Sequence, residues 1–210
     1  FRNINYEIKD AQLNYYVLAD ASASLIKNGI HYDEELLQKE RDRITNMLRN
    51  DGYFLFSKEY IYFEVDSSLG TREVDITLGI KNPVIKTTGE KDTIIEIDHK
   101  RFYINNIYVY TDYDPRQKTS PKDTLISNDY YLLSSGTMRY KPRLITDAVL
   151  MSKGELFQQQ HSDQTFRRLS ELKMFRTIQL QFVDAGNAKI DCHIYLSNIP
   201  KQSFSAEAKK

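Results

Sequence analysis

Two stretches of the chain carry the same order of hydrophobic and polar positions. In the first, Ile30 to Ile80, the residues Leu37, Ile44 and Leu48 fall on one face at helical spacing, with Leu36 and Met47 beside them. Asp33 is a cap candidate, and Glu34 and Glu35 place negative charge in the first turn, where the helix dipole favours it. Glu40 and Arg41 interrupt the stripe, so one bent helix or two short helices fit. Asn50-Asp51-Gly52 is a stop signal, Gly52 being free to take the left-handed conformation. Ile61, Phe63 and Val65 then alternate with Tyr60, Tyr62 and Glu64. After a turn at Ser67–Gly70, Val74, Ile76, Leu78 and Ile80 alternate with Glu73, Asp75 and Thr77. Each strand has one apolar face, as in a sheet covered on one side by helices.

The plan recurs near the C-terminus. Phe166, Leu169 and Leu172 form the helix stripe. Ile178, Leu180 and Phe182 alternate with Gln179 and Gln181, and Ile190, Cys192, Ile194 and Leu196 with Asp191, His193 and Tyr195. Gly29 precedes Tyr32 by the step that separates Gly154 from Phe157, and Gly52-Tyr53-Phe54 matches Lys173-Met174-Phe175. A unit that appears twice sets the architecture. Each copy opens with a strand, Tyr6–Leu13 and Phe102–Val109, in which Ile8, Ala11, Leu13 match Ile104, Ile107, Val109; a bulge accounts for the three-residue step. Leu18 to Asn28 takes no assignment. Asn82-Pro83 ends the third strand, Val84–Asp92 with Gly89 is a connection, and Thr93–Asp98 a strand extension into the second copy.

The expected fold is therefore α+β: two tandem β-α-α-β-β units, each a three-stranded mixed sheet with helices on one face. The expected domains are residues 1–90 and 91–210. The second carries an insertion at about 111–141, turn-rich first and then apolar enough for one or two short strands or a covering flap; it is either functional or a plain surface excursion.

Composition narrows the function. Formal charge is zero, and Lys and Arg alternate with acids, so no nucleic-acid partner is expected. The single cysteine, Cys192, excludes an intramolecular disulfide and sits in the apolar phase of its strand, as a buried small hydrophobe does. No run approaches the roughly 18 apolar residues of a membrane-spanning helix. The chain begins at Phe1 in strand-like sequence without a signal peptide, as a fragment of a longer protein would. His31, His99, His161 and His193 form no metal-ligand spacing, and no nucleophile elbow, Walker loop or dinucleotide loop occurs. Glu34-Glu35 is explained by the helix dipole, and Arg167-Arg168 by a solvated helix face or an anion site. No catalytic residue, metal or cofactor is expected.

The pattern resembles POTRA (polypeptide-transport-associated) domains. Leu48-Arg49-Asn50-Asp51-Gly52-Tyr53-Phe54 resembles their helix exit, Ile104-x-x-Ile107-x-Val109 their opening strand, Lys153–Phe157 the segment before a helix, and Asp191–Leu196 the final strand. The resemblance covers nearly the whole chain. Lys173 departs from it, standing where the family usually has glycine: either it takes a left-handed backbone under strain, or the helix ends differently there. Ser197–Glu207 resembles the passage from a last POTRA domain into the membrane β-barrel of the BamA/TamA family. The Tyr-rich insertion and the Arg41–Glu64 stretch are most similar to TamA-like members of the Bacteroidota. The resemblance implies the periplasmic part of a non-enzymatic outer-membrane assembly or translocation factor. A barrel would lie beyond Lys210, further POTRA domains before Phe1, and the partners would be unfolded outer-membrane proteins or accessory subunits. The alternatives are a POTRA-like interaction scaffold without a barrel, and an enzyme with its site in the insertion near Asp129–Lys141.

The resembled fold places the strand after the helices at a sheet edge, where unpaired main-chain groups can accept a client strand. The expected binding edge is Ile178, Gln179, Leu180, Gln181 and Phe182, whose outward residues carry no charge. The secondary edge is Tyr60, Ile61, Tyr62, Phe63, Glu64 and Val65. The alternative is that a neighbouring domain or the insertion covers the edge. Phe63 and Leu180 are expected to be buried. A proline at Gln179 or Gln181, whichever turns its N–H outward, is expected to block addition of a strand.

Overall fold

The computed structural model describes residues 1–66, 73–87, 93–116, 123–136 and 138–199. The expected turn at Ser67–Gly70, Gly89, part of the insertion and the closing stretch from Pro200 lie outside the described residues. The chain divides into two compact units: Phe1–Phe102 with Leu156–Gln159, and Tyr103–Glu155 with the residues from Gln160 on.

The first unit runs β1 (Ile4–Ile8), α1 (Ala11–Ala19), α2 (Glu34–Asn50), β2 (Ile61–Asp66) and β3 (Asp75–Ile80). Its sheet has the order β1-β3-β2, with β1 parallel and β2 antiparallel to β3. Leu13 and Val17 of α1 and Ile44 and Leu48 of α2 pack on Ile61, Leu78 and Ile80, so both helices cover one face. The opening strand ends at Ile8, not at Leu13 as expected. Asp10 caps a helix there, its carboxylate accepting the N–H groups of Gln12 and Leu13 at 2.9 and 3.1 Å. Ala11 and Leu13 are thus helical, and the unassigned stretch holds the end of α1 and a 3₁₀ turn at Ala21–Ala23.

Helix α2 is one 17-residue helix. Glu40 does not break it: its carboxylate is buried and accepts from Ser24 Oγ (2.8 Å), the Leu25 N–H (2.9 Å) and both Arg43 Nε (2.9 Å) and Nη2 (2.8 Å). Arg43 also pairs with Asp20. The expected connection and strand extension instead form a two-stranded antiparallel sheet of β4 (Val84–Thr87) and β5 (Thr93–Glu96).

The second unit runs β6 (Tyr103–Tyr110), β7 (Asp123–Ser127), β8 (Tyr130–Ser134), α3 (Pro142–Thr146), α4 (Gln159–Glu171), β9 (Phe175–Gly186) and β10 (Lys189–Asn198). Its sheet has the order β7-β8-β6-β10-β9. Within it, β6-β10-β9 repeats β1-β3-β2, with β6 parallel and β9 antiparallel to β10. Of the two forms expected for the insertion, its described part takes the strands rather than the flap: its hairpin adds β8 parallel to β6 and puts β7 outermost. Two tandem β-α-α-β-β units with mixed sheets result, the second widened by two strands.

The bulge expected in β6 is present. Ile104 to Ile107 spans the register that Ile190 to Cys192 spans in β10, and Asp191 Oδ1 accepts the Asn106 N–H at 3.0 Å and Asn105 Nδ2 at 2.8 Å. Lys173 is left-handed, at φ 54°, where Gly52 has φ 96°. The two helices therefore end alike, and Lys173 holds a conformation that costs glycine nothing.

Candidate functional site

Strand β9 lies at one edge of its sheet and β2 at one edge of the other. In β9, Ile178, Leu180 and Phe182 are half-buried on the helix side, while Gln179 and Gln181 are exposed. Leu180 is thus less buried than expected, as is Phe63 in β2, because an edge strand has a neighbour on one side only. From Thr177 to Val183 the strand has no charge and no proline.

The direction of the main-chain groups follows from the register. Tyr103 donates its N–H to Ala188 O, and Tyr113 donates to Leu196 O, so Ile190, Cys192, Ile194 and Leu196 turn their amides toward β6. Asp191, His193, Tyr195 and Ser197 then face β9, opposite Val183, Gln181, Gln179 and Thr177. Gln179 and Gln181 therefore spend their N–H groups on β10, and Ile178 and Leu180 carry theirs toward the open edge. This corrects the expected proline test. A side chain pointing to solvent stands perpendicular to the sheet, whereas an edge-facing N–H lies in its plane.

The same parity holds at β2. Lys81 donates to Tyr60 O and Ile76 to Asn3 O, so Tyr62 and Glu64 bond β3 while Ile61, Phe63 and Val65 face the edge. Beside this edge is a groove of about 270 Å³ whose lining includes Tyr32, Glu34, Leu37, Arg41, Phe63 and Val65. The Arg41 guanidinium stands 5.4 Å from the Phe63 ring centroid. Sequence reasoning missed this groove, taking Arg41 only as a break in the apolar stripe. The available signal was its four-residue step from Leu37, which places both on one helix face.

The face of the second sheet away from the helices is aromatic and uncharged along two rows. The registers align Gln181, His193, Tyr108, Tyr131 and Ile126 in one, and Gln179, Tyr195, Tyr110, Leu133 and Thr124 in the other. Tyr108 stacks on Tyr131 at 5.1 Å and on His193 at 4.9 Å, and Tyr110 on Tyr195 at 4.6 Å. Tyr110 Oη and His193 Nδ1 are 3.2 Å apart. Burial lowers the His193 pKa against the opposing pull of Asp191. These rings use their faces on one another and present edges and hydroxyls outward.

Little here supports covalent chemistry. Cys192 is fully buried, and burial pushes its thiol far up. His99 bonds Lys81 O through Nε2 at 3.0 Å, and its backbone N–H donates to Asp10 at 3.0 Å; burial lowers its pKa. Both roles are structural. Among the described residues no group of three or more His, Cys, Asp and Glu could hold a metal ion. In the insertion, an open hollow of about 750 Å³ has Asp123, Arg139 and Lys141 as its charged lining.

These two sheets, with parallel first and last strands and the post-helix strand at the edge, define the fold of POTRA domains. Solved structures with that fold include BamA POTRA3-5 from Haemophilus influenzae, at a TM-score of 0.53 and 11% identity over 94% of this chain and 61% of that one. They also include BamA from Haemophilus ducreyi lacking POTRA domains 1-3, at a TM-score of 0.61 and 10% identity over 95% of this chain. The chain spans 61% and 29% of the lengths of these two structures. No family model and no curated protein matches the sequence.

Proposed function

We propose that this chain is a non-enzymatic periplasmic module of an outer-membrane protein assembly or translocation factor. It comprises two domains, residues 1–90 and 91–210, and is continued in its parent protein by a membrane β-barrel. It receives unfolded β-barrel clients or accessory subunits by strand addition to β9 at Ile178–Phe182, with Tyr60–Val65, the turn residue Tyr60 and the first five residues of β2, as a second edge. The POTRA fold supports the class of protein. The Tyr-rich insertion and the Arg41–Glu64 stretch support a TamA-like member of the Bacteroidota.

The observation that carries the reading is the uncharged Thr177–Val183 stretch of the β9 edge, with Ile178 and Leu180 turning their amides away from β10. A client strand can bond those groups with little sequence demand, which suits a factor serving many clients. The test is binding of an unfolded outer-membrane β-barrel protein, diluted from urea, to variants whose circular dichroism is unchanged. Ile178→Pro should weaken binding at least about tenfold beyond Ile178→Ala, while Gln179→Thr and Gln181→Thr should be nearly silent. Threonine variants that lose binding as badly as the folded proline variant would show that side chains are read, and strand addition would fail.

A further inference from the structure

The insertion gives the second sheet another edge, at the end opposite β9. Thr111 donates its N–H to Leu133 O, so Tyr131 and Leu133 turn their main-chain groups toward β6, and Tyr130, Leu132 and Ser134 toward β7. Their partners Ser127, Leu125 and Asp123 face β8, which leaves Thr124 and Ile126 with N–H and C=O directed away from the sheet. Asp123 is the strand's one charge, and it has no proline. Leu125 is 46% exposed and Ile126 65%, on opposite faces. An edge so lightly guarded is a template for another strand.

Beside it, on the Leu125 face, lies the open hollow of about 750 Å³, with Met138, Tyr140 and Pro142 as apolar lining and Arg139 and Lys141 against the single carboxylate of Asp123. Cross-strand neighbours share a face, so a residue added opposite Leu125 would enter this hollow. An antiparallel strand would run its C-terminal end toward Asp123, where cations outnumber acids. We infer that β7 and its hollow bind an extended peptide segment of a partner protein, antiparallel to β7. That segment has an apolar side chain opposite Leu125 and a carboxylate within about three residues C-terminal to it. Main-chain bonds to Thr124 and Ile126 hold the strand, and Arg139 and Lys141 select its charge. A second copy of this chain fits less well, because a five-residue strand buries far less than the roughly 1,200–2,000 Å² of a stable interface. The inference does not rest on the role proposed for β9.

The probe is the C-terminally amidated peptide acetyl-Thr-Val-Thr-Leu-Thr-Glu-amide, whose Glu shares the face of its Leu, titrated into the whole chain and followed residue by residue through amide chemical shifts. Shifts should centre on Thr124 and Ile126. Ile126→Pro should weaken binding at least tenfold, while Ile126→Ala retains it. The double variant Arg139→Glu, Lys141→Glu should lose the peptide by a similar factor and recover affinity for the same peptide ending in Lys, a rescue that stands even if the proline variant fails to fold. No binding, shifts centred on β9 instead, or affinity indifferent to the charge reversal would each overturn the inference. So would a concentration-dependent dimer that the charge reversal abolishes, since a second copy would then occupy the edge.

Discussion

Replacing Glu40 with alanine tests whether the first unit is held by a buried ion pair. Glu40 is 1% exposed and accepts four hydrogen bonds, two from Arg43, one from Ser24 Oγ and one from the Leu25 N–H. It thereby ties the segment after α1 to the middle of α2. Removing one member of a buried pair costs about 3–5 kcal/mol when the other is left uncompensated. Arg43 keeps Asp20 as a partner and is 21% exposed, so it can recover some hydration. Glu40→Ala should therefore cost about 2–4 kcal/mol, and Glu40→Gln, which keeps the shape and one acceptor, about 1–2 kcal/mol. Burial alone would raise the Glu40 pKa, but the bonds from Arg43, Leu25 and Ser24 outweigh it and hold the carboxyl below its usual range. A depressed carboxyl contributes stability that is fully present above its unfolded value, about 4.3, and lost as pH falls through the folded value. The gap between the wild-type chain and Glu40→Gln should accordingly shrink between pH 7 and about pH 3. Native-state hydrogen exchange at the amides of Leu13, Ile44 and Leu48 reads the first unit selectively, which a global melt of two units cannot. A loss below about 0.5 kcal/mol for Glu40→Ala at pH 7, or a gap that does not shrink with acid, would refute the reasoning.

Two further outcomes are expected. A Cβ added at Gly79 would overlap the Tyr62 ring, so Gly79→Ala should destabilise by about 1–3 kcal/mol, mostly relieved in a Tyr62→Ala background; additive losses in the double-mutant cycle would deny the contact. Residues 1–90 and 91–210 expressed separately should each unfold cooperatively, and a lack of protected amides in both halves would argue for one fused domain.

The repeated pattern was legible because its strands alternate strictly and its helices carry the wider stripe. Ile190, Cys192, Ile194 and Leu196 are all fully buried, as their spacing implies. The misreadings fall where local chemistry competes with periodicity. Ile8, Ala11 and Leu13 matched a bulged strand by spacing, yet Asp10 between them is a helix cap, and Leu13 and Val17, one helical turn apart, are the residues that α1 buries. Glu40 read as an interruption because a carboxylate on an apolar face is costly unless paired, and its partners Ser24 and Leu25 lie in the stretch that had no assignment. The strands of the insertion were expected only as one option, and their place at the sheet edge was not readable. Joining β8 to β6 depends on a parallel, non-local pairing that leaves no local signature. The candidate edges were legible as strands, but the direction of their amides was not, since it depends on the register with β3 and β10.

That register has a consequence for how a client would be chosen. In β9 the residues whose amides face outward, Ile178 and Leu180, are also those half-buried on the helix side. A strand added there places its own residues opposite them on the same face. Each apolar residue so placed would cover the exposed flanks of Ile178 and Leu180 and extend the core by one strand, gaining about 25 cal/mol per Å² of apolar surface removed from water. The intervening client residues would lie beside Gln179 and Gln181 and remain wet. A one-residue slip would put polar groups against the core and apolar groups in water, so the preferred register is enforced without reading any particular side chain. Transmembrane barrel strands alternate in this way, with lipid-facing residues on one side and lumen-facing residues on the other. Selection at β9 would then be for alternation itself: a strand with one apolar face is retained, and a uniformly polar strand with the same main-chain bonds is not.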